Sequence, residues 1–275
     1  MNDAARRRNL RTGLVWCWLA GSLLLALGGC AVPHSDATGA NVDVMTASDE
    51  PEGRKRARIR FELAVGYFEQ GQTNVALDEL KQVIAADPTF PDAYNLRGLI
   101  YMRLNDQKQA EESFRRAVSL NSKDSNAQHN YGWLLCQQAR YDEAARAFER
   151  AMANPLYADK AKTLMAKGLC EARSGRRDEA ERSLARAYEL DAANPVTGYN
   201  LANLLYQRGE YPRAQFYIRR LNNTELANAE SLWLGIKVEE KLNDRTAMLQ
   251  LADQLKRRFP QSKELGFYTK GAFNE

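Results

Sequence analysis

An all-α solenoid of about six helix–turn–helix units is the fold that this 275-residue sequence predicts, and three observations predict it. Alanines recur at Ala76, Ala110, Ala144, Ala180 and Ala214, spaced 34, 34, 36 and 34 residues apart. In that register Gly71, Asn105, Ala139, Gly175 and Gly209 mark short turns, while Leu80, Phe114, Phe148, Leu184 and Ile218 follow each alanine by four residues. A small residue (Ala64, Gly98, Gly132, Gly168 or Ala202) sits midway along each first helix. Small side chains let two antiparallel helices approach, and larger ones fill the space beside the crossing. One unit cannot bury its own apolar face, so neighbours must stack on it. A chain 44% hydrophobic and 27% charged has enough apolar surface for such a core and is not wholly disordered.

Residues 1–29 precede the repeats. Arginines at 6, 7, 8 and 11 lead into an apolar run from Gly13 to Leu27. At about 1.5 Å per residue that run reaches only about 22 Å as a helix, short of the roughly 30 Å hydrocarbon core. It reads as a cleaved secretory signal. Leu27-Gly28-Gly29-Cys30 resembles the lipobox of bacterial lipoproteins, which implies cleavage before Cys30 and lipid attachment at its sulfur; a plain signal with a chance cysteine is the alternative. Losing residues 1–29 lowers the net charge from +4 to +1, so the basic balance gives no argument for a nucleic-acid partner. Ala31 follows the cysteine, and resemblance to Gram-negative lipoproteins implies the outer membrane, with the chain lipid-anchored and facing the periplasm. Residues 30–52 are small, polar and aperiodic, and read as a tether spanning about 25 Å on average.

Residues 53–262 hold the six units, beginning near 57, 91, 125, 161, 195 and 229, and residues 263–275 are expected to form a partial cap. The two extra residues before unit 4 fall near "NPLYAD", in a loop. Unit 6 departs from the pattern, with Met248 in place of the alanine and Gly235 one place off; unit 4 has Glu171 where an aromatic residue or leucine is usual. "LAVGYFEQGQTNVALDELKQVIAADP" and "YNLRGLIYMRLNDQKQAEESFRRAVSL" resemble the tetratricopeptide repeat, which implies a right-handed superhelix with a concave groove lined by the first helices. On that register the groove receives Phe61, Val65 and Phe68 from unit 1, and Asn95, Leu99 and Met102 from unit 2. Unit 3 adds Asn126, His129 and Trp133, and unit 5 adds Tyr199, Asn203 and Tyr206. An apolar strip at one end suits an amphipathic helix laid into it, or a terminal helix of the same chain. The run "EGRKRARIR" reads as a solvated helix start or as a contact for acidic lipid headgroups.

Four cysteines are present. Cys17 leaves with the signal and Cys30 takes the lipid, so Cys136 and Cys170 remain in an oxidising compartment, on the first helices of units 3 and 4. A disulfide there closes 34 residues and stabilises by roughly 3–4 kcal/mol in the chain-entropy model; two buried packing thiols are the alternative. No reaction centre is legible, and no catalytic residue, metal site or cofactor is expected. His34 and His129 are the only histidines, and there is no Cys-x-x-Cys and no phosphate-binding glycine loop. The acid pairs Asp142–Glu143 and Asp178–Glu179 begin second helices, where they suit the helix dipole.

The centre of the chain is more specific. "NYGWLLCQQARYDEAARAFERAMANPLY", followed by "AKGLC", resembles the type IV pilus biogenesis and stability lipoproteins, and the resemblance spans about residues 57–260. It implies a non-catalytic outer-membrane pilotin that binds secretin subunits and supports their targeting and multimerisation, with no small-molecule substrate. A general envelope assembly lipoprotein, bound to another outer-membrane or cell-wall partner, is the second reading.

Overall fold

Six helical hairpins follow one another along the chain, each closed by a tight turn and each leaning on the next. The structure is a computed structural model and describes residues 50–274; Cys30, the expected signal and most of the expected tether lie outside the described residues. The hairpins are α1 (Glu52–Glu69) with α2 (Thr73–Ala86), α3 (Pro91–Arg103) with α4 (Gln107–Leu120), and α5 (Ser125–Gln137) with α6 (Tyr141–Met152). They continue as α7 (Lys160–Arg173) with α8 (Arg177–Leu190), α9 (Pro195–Gln207) with α10 (Tyr211–Asn222), and α11 (Ala229–Lys241) with α12 (Arg245–Arg258). A final short helix, α13 (Lys263–Thr269), packs on α11 and α12. The described residues contain no strand, and none of their helices is long and apolar enough to cross a membrane.

Local chemistry sets the boundaries. Asp106, Asp124, Asn194, Asn228, Asp244 and Ser262 each accept a hydrogen bond from a backbone N–H of the helix they precede. Pro91 and Pro195 start α3 and α9, where the missing N–H costs nothing. Every hairpin turn passes through one residue in the left-handed region. Three of these residues are glycines, and the other three are Asn105 (φ 61°), Ala139 (φ 59°) and Asn243 (φ 59°). An alanine there costs about 1–2 kcal/mol, so turn α5–α6 is held by its surroundings.

The helix crossings follow one rule of size. A β-carbon on Gly98 would stand 2.5 Å from the Phe114 ring, one on Gly132 3.0 Å from Phe148, and one on Gly168 2.7 Å from Leu184. Where the first helix carries alanine instead, at Ala64 and Ala202, the equivalent second-helix residues are Leu80 and Ile218, smaller than the phenylalanines of units 2 and 3. Unit 6 inverts the rule: Ile236 holds the small place, Ala252 holds the large one, and both are buried in one cluster. At this crossing unit 6 therefore exchanges volume between its two helices, while Met248, in place of the alanine, packs partly buried on the same cluster. Gly235 serves another contact, leaving room for Asn222 of the preceding unit, whose amide donates to the Ser231 carbonyl.

Each odd-numbered helix from α1 to α11 approaches the next odd-numbered one closely along its backbone, whereas no even-numbered helix does so with the next even-numbered one. Helices α8 and α10 meet through side chains, Tyr188 against Tyr217 at 5.0 Å and Arg213 with Glu181 at 2.7 Å. The odd helices therefore form the tight inner layer and the even helices the splayed outer layer, so the inner layer is concave. Helix α1 extends about one turn ahead of the first unit, and the basic run there is largely spoken for. Arg54 pairs with Asp87 at 2.9 Å, Arg58 with Glu50 at 3.4 Å and Arg60 with Glu79 at 2.8 Å.

Candidate functional site

The inner layer carries three successive environments. At the N-terminal end Phe61 meets Phe90 edge-on at 5.2 Å, and Val65 and Phe68 pack half-buried on the core of the first unit. Leu99 and Met102 pack in the same way on the cluster around Phe114 and Leu134. These five residues form a floor shared between groove and core. Asn95 fixes the rim by accepting a hydrogen bond from the Asn130 amide at 3.0 Å. Arg103 lies over the Phe68 ring at 5.5 Å and donates to the Phe68 carbonyl.

In the middle, Trp133 stands half-buried with the Arg173 guanidinium 5.1 Å from its ring centre, while Asn126 is exposed at the start of α5. His129 corrects the expectation that it faces the groove. It is 7% exposed, with Nδ1 2.8 Å from the Thr163 hydroxyl, which in turn lies 3.2 Å from the Tyr157 hydroxyl. Burial is the main cause that pushes the imidazole down to about 4; Lys162 adds to it and Asp159 opposes. His129 thus belongs to the seam between units 3 and 4. Cys136 and Cys170 lie in that seam as well, joined in a disulfide with Cα atoms 5.7 Å apart.

Towards the C-terminal end two cavities open along the inner layer. One, of about 300 Å³ between α7 and α9, has Leu169, Leu184 and Leu204 at its walls and Arg173, Asn203 and Gln207 around it. The other, of about 200 Å³, lies among α9, α11 and α13; Tyr199 and Asn203 line it with Trp233 and Phe267. Asn203 is common to both. Tyr206 leans on Tyr211 at 5.6 Å, and the Lys237 ammonium lies 5.5 Å from the Tyr206 ring and 5.6 Å from Trp233. Burial lowers the pKa of Lys237. Phe273 stacks on Trp233 at 5.5 Å, so the residues after α13 close the end of the array.

Leu169, Arg173, Trp233 and Lys237 were not among the expected groove residues. Leu169, Trp233 and Lys237 occupy in units 4 and 6 the places that supplied candidates from units 1, 2, 3 and 5, so the register itself was their signal; Arg173 stands one place beyond, where unit 2 has Arg103.

The remaining polar clusters have structural partners. Asp142 pairs with Arg176 at 3.1 Å and Asp178 with Arg208 at 2.6 Å, each linking one hairpin to the next. Glu171, the departure in unit 4, is buried but accepts from the Ser183 hydroxyl at 2.6 Å and pairs with Lys167 at 3.0 Å. Glu239, at the equivalent place in unit 6, is fully buried and held by Arg219 and Gln215 at 2.7 Å each. Among the described residues no three His, Cys, Asp or Glu side chains gather as a metal site would require. What the inner layer offers chemically is a surface for binding: apolar floor, aromatic shelves and a few cations.

Models of the tetratricopeptide repeat match residues 66–105, 91–124, 132–195 and 171–232. The chain is 29% identical over 214 residues to the type IV pilus assembly protein PilF of Pseudomonas aeruginosa, covering 78% of this chain and 85% of that protein. Among solved structures it resembles PilW, described as a widely conserved type IV pilus biogenesis factor, with a TM-score of 0.71 and 29% identity over 78% of this chain and 98% of the other. It is equally similar to the Pseudomonas aeruginosa PilF structure, with a TM-score of 0.71 and 28% identity over 80% of this chain and all of the other.

Proposed function

From the premise that this chain is a tetratricopeptide-repeat protein homologous to the type IV pilus biogenesis proteins, we propose that it is a lipid-anchored outer-membrane protein that binds secretin subunits and supports their targeting and multimerisation. Cys30 is the attachment point in this reading, and the repeats face the periplasm. Its work is binding, not catalysis: an apolar segment of the secretin is shielded in the groove while the acyl chains carry the pair to the membrane. The observation that carries the proposal is the half-buried apolar floor of Phe61, Val65, Phe68, Leu99 and Met102, in a chain that matches a pilus assembly protein over most of its length.

The test is an immunoblot of fractionated membranes from cells lacking the gene, separating heat-resistant secretin multimers from monomers. Loss of outer-membrane multimers, restored by the wild-type gene and not by a Cys30→Ser variant, is the expected result. Normal multimers in the normal membrane would overturn the secretin role and leave a general assembly role with another envelope partner.

A further inference from the structure

The groove reading says that a segment binds; two arginines without a carboxylate among the described residues say what kind. Arg173 makes no ion pair among the described residues, although it sits in a molecule whose arginines commonly pair across hairpins. It is instead held over the Trp133 ring, at the mouth of the cavity between α7 and α9. Arg103 repeats the arrangement one pair of units earlier: the same place at the end of a first helix, a ring of a preceding unit beneath it, and no carboxylate partner among the described residues. Among the described residues no carboxylate lines the α7–α9 cavity, whose apolar walls are Leu169, Ala172, Leu184 and Leu204, and neither Asn203 nor Gln207 beside it has a hydrogen-bond partner. A guanidinium fixed on an aromatic face keeps its outward N–H donors available, and carboxylates are the ligands that match their geometry.

We propose that the α7–α9 cavity is the anchor pocket of the groove, and that its occupant is an acidic amphipathic segment of a partner protein. One apolar side chain enters among Leu169, Leu184 and Leu204, and flanking carboxylates meet Arg173 and Arg103. This rests on the groove being the binding surface, and it adds the sign of the partner's charge. Apolar contact supplies the greater part of the affinity, and the two arginines select between segments of equal hydrophobicity.

Two synthetic amphipathic helices with the same apolar face, one with glutamates and the other with lysines on its polar face, are titrated into the full chain in detergent and followed by fluorescence anisotropy. The acidic helix is expected to bind about tenfold more tightly, with a preference that shrinks as salt rises. Arg173→Glu should remove most of that preference, Arg103→Glu should reduce it independently, and Arg177→Glu, an exposed change on the outer layer, should leave it in place. Equal binding of both helices, lost on Met102→Glu but insensitive to Arg173→Glu, would overturn the charge assignment and leave the groove reading standing. Binding of neither helix, or binding unaffected by all the groove variants, would overturn both.

Discussion

At the scale of single residues the molecule is governed by how near two helices come. Gly98 faces the Phe114 ring, and a methyl group there would stand 2.5 Å from it. Gly98→Ala is therefore expected to cost about 1–3 kcal/mol through overpacking. Leucine at position 114 should return a good part of that loss, because the same chain already builds this crossing as Ala64 with Leu80. A double-mutant cycle by urea unfolding measures the coupling, and simple additivity of the two losses would refute the size rule. Such pairs were legible because both members recur at fixed offsets. The inverted pair Ile236–Ala252 was not: register shows which places face each other, while the division of volume between them is decided in the packed core. Turn residues show the same limit, since glycine announces a left-handed conformation and Ala139 does not.

At the scale of elements, the contact between α5 and α7 differs from its counterparts. It holds the disulfide and the His129–Thr163–Tyr157 chain of hydroxyl and imidazole groups. With its pKa lowered from 6.5 to about 4, His129 is neutral in the folded state across a range in which the unfolded chain takes up a proton. Stability contributed by this site is fully present above about pH 6.5 and is lost progressively as pH falls towards 4, by up to about 3 kcal/mol. The urea midpoint of the wild-type chain should fall through that window, and His129→Gln should flatten the fall. An unchanged slope in the variant would place the sensitivity elsewhere. The register put His129 on the inner side of α5 and so suggested the groove. It could not show that Thr163, from the next first helix, covers the ring, because that depends on how closely two helices of different units approach. The apolar strip was legible for the converse reason: five residues of one kind at equivalent places in adjacent units describe a surface however closely those units pack.

At the scale of the whole repeat array, backbone packing runs along the inner layer and between each outer helix and its neighbouring inner ones, with side-chain links such as Tyr188–Tyr217 and Arg213–Glu181 added between outer helices. In such arrays stability is close to a sum of unit and nearest-neighbour terms, so a local loss is felt locally. Replacing both Cys136 and Cys170 by serine is expected to cost about 3–4 kcal/mol in the chain-entropy model, concentrated in units 3 and 4. Hydrogen exchange should show α5–α8 losing protection while α1 and α2 retain theirs; uniform loss across all units would mean that the array unfolds as one block. Successive outer helices keep their backbones farther apart than the inner ones do and meet, as α8 and α10 do, through side chains. The gaps on that side therefore widen or narrow more readily than those of the inner layer, and the curved array has the build of a leaf spring. The disulfide clamps that spring at its waist. Each end is free to flex around a guest while the middle holds its curvature, and reduction of one bond would release the two halves to bend as a single longer arm.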